Sequence, residues 1–194
     1  LTDFAGTTAS GYAGEGAAAD PFCLVFDGSG DRVLLSDLSA AEDKAFTYEV
    51  WMKTTTATGL PTLVHEGNSS GAGVRGLLRL SSGAAQMVMV DDVGASATVA
   101  SPSSVANGEW RHLVGLCDGS YVRLYVDGSS VGTPVAPPAG TLTLNQTSLG
   151  VYRTNTLLNY FTGSLAVVRI YPFALTADEV AENYAAGYLW PGPA

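Results

Sequence analysis

"EWRHLVGLCDGSYVRLYVDGSSV", residues 109–131, sets strand-forming runs around two Asp-Gly pairs, at 118–119 and 127–128. Asp and Gly tolerate the positive φ that a tight hairpin turn requires, so the stretch predicts strands folded back on one another. Val122, Leu124 and Val126 alternate with Tyr121, Arg123 and Tyr125, which places the first row on a core and the second on the opposite face. Three uses of such acidic turns stay open at this point: holding a metal, meeting a sugar, or reversing strands. Turn formation is the simplest account of Asp118 and Asp127.

The same reading extends outward in both directions. In "AFTYEVWMKT", residues 45–54, Phe46, Tyr48, Val50 and Met52 form a core row, while Thr47, Glu49 and Trp51 form the other, with Trp51 large enough to need cover of its own. "FCLVFDGSGDRVLL" at 22–35 predicts strand, turn and strand; "TLVHEG" at 62–67 predicts a strand and "RGLLRLSSGAAQMVMVDD" at 75–92 a hairpin. Further strands are expected at 141–145, 148–153 and 163–171, the last nearly continuous in apolar character and therefore central. One helix is predicted at about 177–186: Thr176 and Glu179 have capping-box spacing, Leu175 and Val180 form a hydrophobic staple, and Gly187 offers a left-handed stop. It is expected across an end or edge of the sheets.

The composition agrees with this pattern. Only 14% of the 194 residues are charged and 23 are Gly, which suits short strands and tight turns in one domain. A net charge of −9 with scattered basic residues argues against nucleic acid and anionic membrane surfaces. No apolar run approaches a membrane span, and the first residues lack signal-peptide regions. A start at Leu1 rather than Met is what a processed or excised chain would show. Cys23 and Cys117 have no metal-ligand spacing and read as buried free thiols, with a disulfide as the alternative.

"LVFDGSGDRVLL", "AFTYEVWMK", "GEWRHLVGLCDGSYVRLYVDGSSVG" and "FTGSLAVVRIYPFALTADEVAENY" together resemble, in order, the blocks of the laminin G-like, concanavalin A-like jelly-roll family. The Gly-rich opening "LTDFAGTTASG" resembles that family's first strand and loop. The resemblance implies an all-β, two-sheet antiparallel jelly-roll sandwich with one short C-terminal helix. Residues 1–21 would be an N-terminal arm or edge strand, 22–186 the jelly-roll domain and 187–194 a tail, folded back or docked on another subunit. Members of the family include sugar-binding and protein-binding modules, accessory parts of enzymes and components of viral particles, so fold leaves function open.

Glycoside hydrolysis needs two carboxylates across a cleft, and the paired acids that related glucanases carry on one strand are absent; Glu49 stands alone in "YEVW" and reads as structural or solvent-facing. His65 and His112 sit in no nucleophile constellation; His112 reads as packed or hydrogen-bonded. Calcium suits acidic loops better than zinc, and the candidate donors are Asp27, Asp31, Asp91, Asp92, Asp118 and Asp127. Sugar stacking would use aromatic faces, for which Tyr121, Tyr125, Tyr152, Tyr160, Phe161 and Trp190 are candidates, although sandwich aromatics are usually packed. "NSS" at 68–70 and "NQT" at 145–147 fit the glycosylation pattern and read as ordinary loop residues.

These readings predict a non-catalytic binding or structural module at an extracellular or virion surface. The leading expectation is a surface or decoration protein of a larger assembly such as a viral particle, with a protein partner or self-assembly. A glycan-binding, lectin-like adhesion module is the alternative, and a glycoside hydrolase the distant third.

Overall fold

The computed structural model describes residues 3–6, 9–17, 19–36, 44–68 and 74–187. In chain order its strands are β1 (Gly11–Ala13), β2 (Cys23–Asp27), β3 (Val33–Ser36), β4 (Ala45–Lys53), β5 (Thr62–Gly67), β6 (Val74–Ser81), β7 (Ala84–Val90) and β8 (Ser96–Ser104). Then follow β9 (Trp110–Asp118), β10 (Val122–Val126), β11 (Ser129–Val135), β12 (Gln146–Leu149), β13 (Tyr152–Arg153), β14 (Leu157–Leu158), β15 (Thr162–Tyr171) and one helix, α1 (Ala177–Ala186). A seven-stranded sheet runs β1-β2-β15-β4-β9-β10-β11 and a six-stranded sheet runs β3-β12-β5-β6-β7-β8. The pairings among the described residues are antiparallel, giving the all-β two-sheet sandwich of jelly-roll type.

Side-chain alternation decides what fills the space between the sheets. Phe46, Tyr48, Val50 and Met52 of β4 and Val122, Leu124 and Val126 of β10 are buried in the main core, facing Leu63, Leu78, Leu80, Met87 and Met89 of the other sheet. Burying each such side chain contributes roughly 1.5–3 kcal/mol relative to exposure. Tyr48 spans the core: its hydroxyl donates to Glu66 Oε2 at 2.6 Å, and Thr147 Oγ1 donates to Glu66 Oε1 at 3.2 Å. The buried acid is thereby partnered, as a buried charge must be. Gly76 makes room for this ring, since a Cβ there would come within 2.4 Å of it.

The 127–128 turn joins β10 to β11 with both residues at positive φ, 49° for Asp127 and 75° for Gly128, the primed-turn geometry that the Asp-Gly pair predicts. The capping box of α1 is present, with Thr176 accepting from the Glu179 amide and Glu179 accepting from the Thr176 amide, and Val180 and Leu175 are buried. The helix lies on the outer face of the seven-stranded sheet, over Val114, Leu116 and Tyr125, and not across an end or edge. The reason is that β9 and β10 carry apolar side chains on that face too, and these need cover.

Two strand expectations are corrected and one strand is added. Residues 141–145 form no strand, because their polar groups are taken by one side chain: Asp92 accepts from the Thr143 amide at 3.1 Å and from the hydroxyls of Thr141 and Thr143 at 3.0 and 2.7 Å. The run 148–153 is broken at Gly150, where φ is 75°, so that β12 and β13 are separate. β8, in the Ser- and Pro-containing run 96–104, is an edge strand that the strand patterns did not include. Cys23 and Cys117 are free thiols, Cys117 buried in the core and Cys23 half-buried, and burial pushes both thiols up.

Candidate functional site

Strand alternation turns Thr47, Glu49 and Trp51 of β4 away from the core, yet none is solvent-facing. Thr47 Oγ1 donates to the Phe173 carbonyl and accepts from the Leu175 amide, both at 2.9 Å, fixing the chain that leads into α1. Under this cover the Glu49 carboxylate is fully buried and gathers four donors. Oε1 accepts from Arg169 at 2.6 Å and lies 3.1 Å from His112 Nε2; Oε2 accepts from the Tyr171 hydroxyl at 2.8 Å and the Asn183 amide at 3.0 Å. Trp51 and Tyr184 flank the His112 ring at centroid distances of 5.0 and 5.7 Å.

Burial alone would raise the Glu49 carboxyl, but hydrogen bonds from His112 and Tyr171 and the charge of Arg169 outweigh it and hold the group below its usual range. The bound carboxylate only accepts, so His112 Nε2 carries the proton between them. Tyr171 is pushed up to about 12 by burial and by its bond to Glu49, and remains a phenol. A general acid for glycoside cleavage needs the opposite, a carboxyl held protonated. Glu49 is a structural anchor.

Beside this anchor runs a groove of about 600 Å³ between the end of β15 and α1. Its open apolar side chain is Phe173, half exposed, with Leu175 buried and Ile170 packed on the main core behind it; Arg169, Tyr171, Asn183, Glu179 and Glu182 supply polar groups. Tyr171 and Phe173 pack ring to ring at 5.6 Å. An open aromatic face next to amide, hydroxyl and carboxylate groups is the arrangement that meets a sugar ring, with its apolar face and its hydroxyls.

The residues singled out from the sequence lie elsewhere. Phe161 is buried against Phe26 in the main core and Tyr125 is buried beneath α1, so neither presents a face to a ligand. Tyr152 covers His65 on the six-stranded sheet, Tyr121 is exposed with Arg123 over its ring at 5.1 Å, and Tyr160 is half-buried. Trp190 and the tail from 188 onward, like residues 69–70 of the first glycosylation pattern, lie outside the described residues.

The six aspartates do not converge. Asp31 accepts from Ser10 Oγ and the Asp27 amide, and Asp27 from the Ser29 amide. Asp91 accepts from the amides of Val93, Ala95 and Gly140, and Asp92 binds the 141–143 segment. Asp118 closes its turn on the amides of Ser120 and Tyr121, and Asp127 accepts from the His112 amide and pairs with Arg111. Among the described residues no group of three or more His, Cys, Asp or Glu is placed to hold a metal. The oxygens that a calcium ion would use already organise turns.

Sequence reading missed Arg169, Tyr171, Phe173 and Asn183 as site residues. The available signal was "RIYPF" at 169–173, where Arg169, Tyr171 and Phe173 fall at every second position as an otherwise apolar strand ends.

The fold is a two-sheet β-sandwich of jelly-roll type. Residues 27–181 match the laminin G-like family described as the concanavalin A-like lectin/glucanases superfamily, and the chain belongs to that family. No curated protein matches by sequence. Among solved structures, domain 4 of AbnA, an extracellular arabinanase of Geobacillus stearothermophilus, in complex with arabinotriose, aligns with TM-score 0.68 and 20% identity over 93% of this chain and 82% of that one. The carbohydrate-binding domain (CBM40) of Ruminococcus gnavus IT-sialidase, bound to α2,3-sialyllactose, aligns at 0.63 and 19% over 78% and 95%. The binding domain of botulinum neurotoxin serotype G aligns at 0.66 and 12% over 92% of this chain but 45% of its own, so this chain spans less than half of the toxin domain. At these identities the likeness is one of fold.

Proposed function

We propose that this domain is a non-catalytic glycan-binding module whose site is the groove between β15 and α1. The observation that carries the reading is the convergence of the half-exposed Phe173 ring with Tyr171, Asn183 and Glu182 in one groove, on a scaffold held rigid by the Glu49 network. Two of the solved relatives are complexes with saccharides, which supports the class of ligand. Glu49 and Glu179 are held as carboxylates, unsuited to donating a proton, which supports binding without hydrolysis. This reading favours an extracellular or surface setting.

Phe173→Ala tests it. On an immobilised oligosaccharide panel the parent should be retained and the variant should elute with the void, losing roughly 1–3 kcal/mol of stacking per sugar ring by analogy with aromatic base stacking. Its thermal unfolding should match the parent's. Equal retention of both proteins would contradict the groove as the site.

A surface or decoration role in a larger assembly such as a viral particle is the second reading. It is favoured by an apolar cleft of about 280 Å³ at the β2–β15 side, lined by Phe26, Leu149, Leu165 and Val168, with Tyr12 and Phe22 largely exposed at its rim. Sedimentation of the purified chain tests self-association: a concentration-independent monomer would count against it.

A further inference from the structure

We propose that the groove selects uncharged, hydroxyl-rich saccharides and rejects anionic ones, an inference that rests on the glycan-binding reading. The argument is an inventory of hydrogen-bonding capacity. Among the described residues Arg169 is the one basic side chain lining the groove, and its Nη1 lies 2.6 Å from Glu49 Oε1. The Tyr171 hydroxyl donates to Glu49 at 2.8 Å, and Asn183 Nδ2 is directed to Glu49 at 3.0 Å and to the Tyr171 oxygen at 3.4 Å. Each of these three side chains therefore turns a donor inward, and the charge of Arg169 is balanced by the buried carboxylate.

The α1 side of the groove adds acceptors. Asn183 keeps its side-chain carbonyl, Glu182 is an exposed carboxylate on α1, and Glu179 has one oxygen engaged by Thr176 and a second beyond the cap. Every sugar hydroxyl carries an O–H that can donate to such oxygens. A carboxylate, sulfate or phosphate brings acceptors and negative charge only, and would face Glu179 and Glu182 with the guanidinium already neutralised by Glu49. Like charges placed opposite one another at a binding surface disfavour association strongly. The half-exposed Phe173 ring adds no charge preference and suits the C–H face of a pyranose or furanose ring.

The test uses the whole chain against arrayed neutral trisaccharides of arabinose, xylose, glucose and galactose beside trigalacturonic acid and α2,3-sialyllactose. The expected result is retention of at least one neutral probe with the acidic probes about tenfold weaker or more. Glu182→Gln, a change on the exposed side of α1, should narrow that gap by about threefold. Acidic probes that bind as tightly as the neutral ones, or a gap unchanged by Glu182→Gln, would overturn the selectivity while leaving glycan binding in place. Failure of every probe to bind would remove the glycan-binding reading and this inference with it.

Discussion

Glu49 and His65 are both fully buried, on opposite outer faces of the sandwich, and their surroundings differ completely. Glu49 lies under α1 with four donors around its two oxygens. His65 stands in a row with Leu77 and Val88, beneath Tyr152 at a centroid distance of 4.8 Å, and neither ring nitrogen has a hydrogen-bond partner among the described residues. The first face keeps a charge by satisfying it; the second keeps a histidine by holding it neutral. Burial, helped by the charge of Arg153, pushes His65 down to about 4. One face is thus a fixed platform beside which a binding groove can be held, and the other is a point of acid sensitivity.

Removing Glu49 should have the largest effect. Glu49→Ala leaves Arg169, Tyr171, His112 and Asn183 without their common acceptor, and breaking a buried pair of this kind costs about 3–5 kcal/mol. The drop should appear in the denaturant midpoint, and glycan retention should fall with it; a change below about 1 kcal/mol would show that the network is incidental.

His65 predicts a pH dependence whose sign follows from linkage. Its folded value lies below the 6.5 of the unfolded chain, so the contribution to stability is complete above pH 6.5 and is lost as the pH falls towards 4. The loss is of order 3 kcal/mol at most, from the shift in the two states' proton affinity. Comparing denaturation of the parent with His65→Leu from pH 7 to 4 isolates it: the variant should lose the steeper part of the slope. Parallel curves would mean that His65 is not held neutral.

Thr176→Ala should be milder, about 1 kcal/mol, because it removes one side of a capping box while Val180 and Leu175 still hold the helix on the sheet. Since α1 carries Asn183 over Glu49, the variant should also weaken glycan retention modestly. Asp118→Asn, at a turn whose carboxylate is held ionised by the Tyr121 and Ser120 amides and Arg123 despite the opposing effect of burial, should stay within about 0.5 kcal/mol.

The contrast between local and distant partners explains what could be read from the chain. The row Phe46, Tyr48, Val50 and Met52, the Asp127-Gly128 turn and the Thr176 cap are legible because each depends on neighbours a few residues away. Glu49's role was not legible, since its partners lie 63 to 134 residues along the chain and meet it only when β4, β9, β15 and α1 come together. The groove was hidden for the same reason: Arg169 lies at the end of a strand that reads as core, Phe173 in the link that follows it, and Asn183 in a helix that reads as cover. The aspartates are ambiguous for a related reason: acidic turn residues look the same in sequence whatever their oxygens hold, and their backbone-amide partners are seen only in the folded turns.

Mapping a bound saccharide onto the isotope-labelled protein is the most direct test of the account. On titration with a neutral trisaccharide that the protein retains, amide shifts should concentrate at residues 169–173 and 179–183, around the groove and α1. Shifts centred on Tyr152, Arg79 and Gln86 of the opposite face, or shifts confined to the aspartate turns, would contradict the assignment of the site.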